Sequence, residues 1–198
     1  MGSRWGPVSA SRGAAVTARD EVALVPWPLA AARRLLAGLP LEPSVTARWH
    51  PEHPLPETLS TLAMTLAAHE AVAPRPLTAA PRWWVHQVLL DGVVVGDVGF
   101  LGPPAPDGPA EVEIGYAVVP AVRGRGVATR ACRALVELAW RDGAVTLLAD
   151  AEPGGPASRA VLEHCGFTVR ADGTHALSRP AVVPPVKADR DLPAGASR

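Results

Sequence analysis

The chain has 198 residues, and 19 Lys and Arg balance 19 Asp and Glu, so its formal net charge is zero. That length points to one domain with short arms, long enough to bury a core without disulfide or metal staples. The charge balance argues against a nucleic-acid partner, which calls for a basic excess, and no apolar run approaches membrane-spanning length.

Residues 1–20 are rich in Ser, Gly, Ala and Arg, contain no continuous apolar stretch of the kind a secretory signal needs, and read as a flexible lead. Gly6 stands where a myristoylation pattern needs Ser or Thr. Glu21–Pro28 (EVALVPWP) then reads as a strand, and LAAARRLLAGLP as a short helix closed by Gly38 and Pro40. Pro56–Val72 carries apolar residues at 59, 62, 63, 66 and 67, the spacing of an amphipathic helix that buries that face. RWWVHQVLL and VVVGDVGFLG flank Asp91–Gly92 as a β-hairpin. Trp83 and Trp84, adjacent there, point to opposite faces.

Ala110–Pro120 is a further strand, ended by proline, and a helix is expected from about Gly124 to Arg141. AVTLLAD reads as a buried strand, GPASRAVLEHCGF as a short helix, and FTVRADGTHALSR as a closing hairpin about Asp172–Gly173. Four prolines after Arg179 mark a tail. The expected organisation is a lead over 1–20, a domain over 21–179 and a Pro-rich tail over 180–198. An antiparallel meander followed by strands alternating with helices implies a mixed α/β sheet with helices on both faces, not a doubly wound parallel sheet.

Cys132 and Cys165 sit in apolar-periodic stretches and read as reduced, buried residues, which fits a cytoplasmic protein. His50, Glu52 and His53 lie among prolines and offer too few convergent groups for a metal, so no metal is expected and the stretch reads as a loop. For Trp27 and Trp49 core packing is the simpler reading, and an aromatic-lined acceptor pocket the alternative.

The segment AVRGRGVA, between a strand and a helix, carries the chemistry. A helix start has unpaired N–H groups and a partial positive charge, glycines let an anion approach, and arginines add charge, so the segment suits a diphosphate. A tight loop needing positive φ would use the same glycines. The dinucleotide fingerprint fails because Thr129 occupies its last glycine position, and no P-loop string exists.

The string does fit [QR]-x-x-G-x-[GA] through Arg123, Gly126 and Ala128, after EIGYAVVP and about thirty residues before GPASRAVLEHCGF. These segments resemble the acyl-coenzyme A loop, the fourth strand and the N-x-A-S-x-x-x-L-E-x-x-GF segment of the GNAT N-acetyltransferase superfamily. The flavour is that of the branch that includes ribosomal-protein N-terminal acetyltransferases. The likeness covers roughly residues 82–178 well and the first strand and two helices loosely.

The resemblance implies a mostly antiparallel sheet of about seven strands that splays between the fourth and fifth. It also implies acetyl-coenzyme A as co-substrate and direct attack by a primary amine of a small molecule or a protein N-terminus. The main chain at Val118 and Val119 would pair with the pantetheine arm, one of their N–H groups polarising the thioester carbonyl. Arg123, Gly124, Arg125, Gly126, Val127 and Ala128 would hold the diphosphate. Glu113 matches the general base, with Glu111 on the same strand face, and Ser158 matches the residue that serves the leaving thiolate. Gly155 replaces the family's asparagine, so an amide toward the pantetheine is lost. The late tyrosine of many members is absent, Tyr116 being the only tyrosine. A coenzyme A-binding sensor with little catalysis is the alternative. No membrane partner is expected, and the state is monomer or homodimer.

Overall fold

The computed structural model describes residues 21–150 and 155–180; the expected lead, and the tail from residue 181, lie outside the described residues. Strand β1 (Val22–Pro26) leads into helix α1 (Leu29–Leu36), a short α2 (Pro43–Thr46) and a long α3 (Pro56–Val72). The hairpin β2 (Val85–Leu90) and β3 (Val93–Phe100) turns at Asp91–Gly92, and β4 (Glu111–Val118) follows. A 3-10 turn over Pro120–Val122 precedes α4 (Val127–Arg141), then β5 (Thr146–Ala149), α5 (Pro156–His164) and the hairpin β6 (Thr168–Val169) and β7 (His175–Ser178). The seven strands form one sheet in the order β1-β2-β3-β4-β5-β7-β6, as the resemblance implies. Every neighbouring pair is antiparallel except β4 with β5.

Each sheet face has its own core. Under α1 and α3, Trp27, Leu29, Ala32, Leu62, Trp84 and Val85 pack together. On the other face Val127, Ala131, Cys132 and Leu135 of α4 cover Val98, Phe100 and Ile114. Trp83 joins the second core and Trp84 the first, so they do face opposite sides, although both lie just before β2 and Val85 shares the core of Trp84. Both cysteines are free thiols, but only Cys132 is fully buried; Cys165 is partly exposed and donates to the Thr129 carbonyl at 3.6 Å.

Two expectations need correction. Helix α4 starts at Val127, not Gly124, because Gly124 and Gly126 both have positive φ. Helix α3 has its expected span but turns a different face inward: Thr58, Leu62, Thr65 and His69 are buried, while Leu59 and Met64 are 39% and 50% exposed. The reason is what the sheet offers beneath it. Thr58 donates to the Asp97 carboxylate, Thr65 to the Phe100 carbonyl at 3.1 Å, and His69 Nε2 to the Trp83 carbonyl at 2.6 Å. Buried acceptors left without donors cost more than a few exposed methyl groups, so the hydrogen bonds decide how the helix is rotated. The four-residue α2 is too short to show any period.

The feature that positions the site is the short contact between β4 and β5. They pair only at Glu111–Thr146, Val112–Leu147 and Glu113–Leu148. Beyond Glu113, β4 stays bonded to β3 as far as Val118, while β5 stays with β7 as far as Ala149. The two strands therefore part, and residues 114–118 of β4 present an open edge.

The rotation of α3 has a direct test. Thr65→Val keeps the side-chain shape but strands the Phe100 carbonyl, and should lower stability by about 1–2 kcal/mol in urea unfolding. Leu59→Ser should change it by less than about 0.5 kcal/mol. The reverse ranking would restore the face expected from apolar spacing.

Candidate active site

Hydrogen bonding along β4 decides which groups face the gap. Leu101 N–H donates to the Glu113 carbonyl at 2.9 Å, and Val119 N–H to the Val95 carbonyl at 2.8 Å. In an antiparallel ladder this assigns the odd-numbered main-chain groups to β3 and those of Ile114, Tyr116 and Val118 to the gap. Val118 thus offers its N–H toward β5, while its carbonyl accepts from Arg123 Nε at 3.1 Å. Val119, expected beside it, has its N–H on the wrong side and already bonded.

The chain leaves β4 through the 3-10 turn and enters α4 through Gly124 (φ 73°) and Gly126 (φ 71°), the latter being the helix N-cap. A residue with a Cβ is strained there by about 1–2 kcal/mol. The first helical bond runs from Arg130 N–H to the Gly126 carbonyl at 3.1 Å, so the N–H groups of Val127, Ala128 and Thr129 have no helical acceptor. They gather at the positive end of the helix dipole.

Arg130 adds a cation that the sequence analysis did not single out. Helical side chains tilt toward the N-terminus, and its guanidinium folds back to donate to the Arg125 carbonyl at 3.1 Å. One Nη lies 3.3 Å from where a Cβ on Gly126 would sit. Its Nε and other Nη are buried and have no hydrogen-bond acceptor. Helical spacing alone sets Arg130 away from the Val127, Ala131 and Leu135 face, and only its position in the first turn signals this fold-back.

Across the gap, Gly155 caps α5 and Pro156 occupies its first position, as expected. Tyr116 Oη lies 2.9 Å from both the carbonyl and the Oγ of Ser158. With the phenol proton given to the carbonyl, the Ser158 hydroxyl donates to Oη. Burial pushes the Tyr116 phenol up to about 12 against the opposing pull of the Ser158 hydrogen bond, so it stays neutral at physiological pH. This pairing across 42 residues has no signature in the sequence.

On the opposite face of β4 lies a small, open cleft. Glu57 and Thr58 of α3 line it from the helix, Gly99, Gly115 and Ala117 from the sheet, and Asp97 of β3 lines it as well. No Lys or Arg among the described residues lines it. Glu113 shares the strand face of Gly115 and Ala117 by alternation and is exposed. Glu111 is instead bonded to Arg170 at 3.2 Å.

Asp97 is the hub behind the cleft. Its carboxylate accepts from Trp27 Nε1 at 2.6 Å and from Thr58, with His53 Nδ1 at 3.8 Å. The rings of Trp27, Trp49 and His53 pack together, with Trp49 and His53 centroids 4.8 Å apart. Burial pushes the Asp97 carboxyl up to about 6, the Thr58 and Trp27 hydrogen bonds opposing it. Burial, then the neighbouring His50, pushes His53 down to about 4. Both His53 ring nitrogens are buried without partners. The His-Glu-His loop thus supplies a ring to this cluster, and among the described residues no group of three or more His, Cys, Asp or Glu could hold a metal.

A family model described as an acetyltransferase (GNAT) domain matches residues 21–168, well over half of the chain. The chain belongs to the GNAT acetyltransferase family. Solved structures agree in fold. Mycobacterium smegmatis RimJ, in complex with CoA-disulfide, is 22% identical with a TM-score of 0.52, over 79% of this chain and 81% of that one. The structure of yncA from Salmonella typhimurium with its cofactor acetyl-CoA is 20% identical, TM-score 0.52, over 83% and 98%. The aminoglycoside acetyltransferase AAC(6')-Ib in complex with coenzyme A is 17% identical, TM-score 0.52, over 80% and 95%. No curated protein matches the chain.

As a GNAT acetyltransferase the protein uses acetyl-coenzyme A, and its residues fit that group. Orphaned buried donors on Arg130, the bare Gly126 cradle and three N–H groups without helical acceptors gather at the start of α4, a donor set whose chemistry suits a diphosphate. No helix among the described residues is long and apolar enough to cross a membrane.

Two predictions follow from this geometry. Gly126→Ala and Arg130→Met should each weaken coenzyme A binding about 10-fold or more by calorimetry, because one strains the cradle and the other removes charge-assisted donors; unchanged affinity in both would place the diphosphate elsewhere. His53→Phe should raise the melting temperature, since the ring nitrogens have no partners to lose and about 1–3 kcal/mol of unsatisfied polarity disappears. The gain should grow on acidification. His53 titrates lower folded than unfolded, so wild type loses its contribution as pH falls from 6.5 toward 4. A lower melting temperature for the variant at both pH 7 and pH 5 would mean that those nitrogens are engaged.

Proposed function

We propose that the protein acetylates a positively charged primary amine, carried by a small molecule or a protein N-terminus, by direct attack within a ternary complex. The observation that carries this reading is the two-sidedness of β4. The anion loop, Ser158 and Tyr116 lie toward its open edge and the α4 face. A slender cleft holding two carboxylates and no cation lies on the α3 face, along residues 115–117. Carboxylates favour an ammonium acceptor, and no Lys or Arg among the described residues lining the cleft competes with it.

Acetyl-coenzyme A supplies the activated acetyl group and departs as the thiol. The N–H groups of Val127, Ala128 and Thr129, with Arg123, Arg125 and Arg130, hold its diphosphate. The Val118 N–H, aimed into the gap, is the donor for charge developing on the carbonyl oxygen. Ser158 turns its hydroxyl proton from Tyr116 Oη to the departing sulfur, and Tyr116 Oη, 2.9 Å away, then donates in its turn to Ser158 Oγ. Thus a tyrosine on β4 serves where many family members place one late in the chain. The acceptor ammonium must lose a proton before it can attack, and Glu113 is the carboxylate that family resemblance offers for this.

Thiol release measured with a panel of amines tests the reading. Wild type should turn over with at least one cationic primary amine. Ser158→Ala and Tyr116→Phe should each lower kcat about 10-fold or more while coenzyme A affinity changes by less than about 3-fold. Tight coenzyme binding with no turnover on any amine would favour a coenzyme A sensor.

A further inference from the structure

We propose that Asp97, on β3, is the catalytic residue that takes the proton from the acceptor amine. This inference rests on the acetyltransferase reading and changes its base. The register places Asp97 directly opposite Ala117, and the bonded pairs at Leu101–Glu113 and Val95–Val119 make this a hydrogen-bonded pair with Cα atoms about 5.5 Å apart. Asp97 therefore sits beside Val118, whose N–H faces the gap, and lines the acceptor cleft. Glu113 lies four residues from Ala117, about 13 Å along the strand, is exposed and does not line the cleft. Glu111 is occupied by Arg170. Among these three carboxylates, only Asp97 both lines the cleft and lies beside Val118.

Its surroundings suit the task. A general base works best when its pKa lies near the operating pH, and burial holds Asp97 at about 6, well above an ordinary carboxylate. The groups that face it come from four elements. Trp27, just past β1, and Thr58 of α3 donate to it; His53 of the loop stays neutral near pH 7, its ring held low by burial. Gln87 is its register partner on β2, with a buried, unpartnered Nε2. Glu57 shares the cleft, and no Lys or Arg among the described residues lines it. An arriving ammonium is thus the cation that the carboxylate lacks.

The protons and bonds balance. The ammonium carries three nitrogen-bound protons: one passes to Asp97, one remains on the amide product, and one leaves with the coenzyme thiol through Ser158. A C–N bond replaces the C–S bond, and Asp97 returns its proton to solvent through the cleft.

The test is the pH dependence of kcat/KM for wild type, Asp97→Asn, Glu113→Gln and Thr58→Val, with coenzyme A affinity measured separately by calorimetry. Wild type should show an acid limb near pH 6. Asp97→Asn should lose about 100-fold or more in kcat and lose that limb, with coenzyme affinity unchanged, while Glu113→Gln keeps the limb and stays within about 10-fold. If Asp97→Asn does not fold, Thr58→Val decides the matter. It removes a hydrogen bond that favours the ionised carboxylate, so the limb must move to higher pH, and a limb that stays in place overturns the proposal. Asp97→Asn with near-normal kcat, or Glu113→Gln abolishing the limb, overturns it while leaving the acetyltransferase reading intact. Wild type that binds coenzyme A but acetylates no amine overturns both.

Discussion

The parting of β4 from β5 after three paired residues is the constraint on which the site depends. A closed sheet would satisfy the edge groups of Ile114, Tyr116 and Val118 with a neighbouring strand. Because β5 turns instead to β7, no strand pairs with those groups, and of Val118 only the carbonyl is taken, by Arg123. An unpaired strand edge invites another chain; here it offers a pairing surface to an extended ligand arm, which is how the resemblance reads the pantetheine. The same parting creates the space that Tyr116 crosses to reach Ser158.

Two devices of different physical character border that space. At the end of β4, glycines in the left-handed region let the first turn of α4 present bare N–H groups, with Arg130 folded over them. On the far side of the sheet, α3 is held by Thr58, Thr65 and His69 through hydrogen bonds, not by an apolar stripe. Such bonds fix position more sharply than methyl packing does, because each has a preferred length and direction. The wall that α3 gives the cleft is therefore set by Asp97 and by main-chain carbonyls of the sheet. The chemistry assigned to Asp97 and the rotation of α3 share one hydrogen bond.

Much of this was legible in the residues. Alternation in the hairpin and in β4, the proline after Val119 and the Asp-Gly turns located the strands to within two or three residues. The Arg123–Ala128 string marked the glycine turn that opens α4, because the conformation those glycines allow is local. Less was legible where partners are distant in sequence. Apolar spacing in α3 pointed to Leu59 as buried, since periodicity weighs methyl groups and takes no account of acceptors that the sheet presents. Val119 and Val118 look alike in a string of letters, and only the register with Val95 separates them. Tyr116 with Ser158, and Asp97 with Thr58, are long-range pairs that spacing cannot reveal. Asp97 in particular carries no local signal in VVVGDVGF; its burial and its partners Trp27 and Thr58 come from distant segments.

The central claim is that coenzyme A lies along the open edge of β4 with its diphosphate on the start of α4. A crystal structure of the protein with coenzyme A tests it most directly. The account predicts phosphate oxygens within hydrogen-bond distance of the N–H groups of Val127, Ala128 and Thr129, the pantetheine paired with the Val118 N–H, and the sulfur beside Ser158. Density for the ligand on another surface, with β4 and β5 closed against each other, would contradict it.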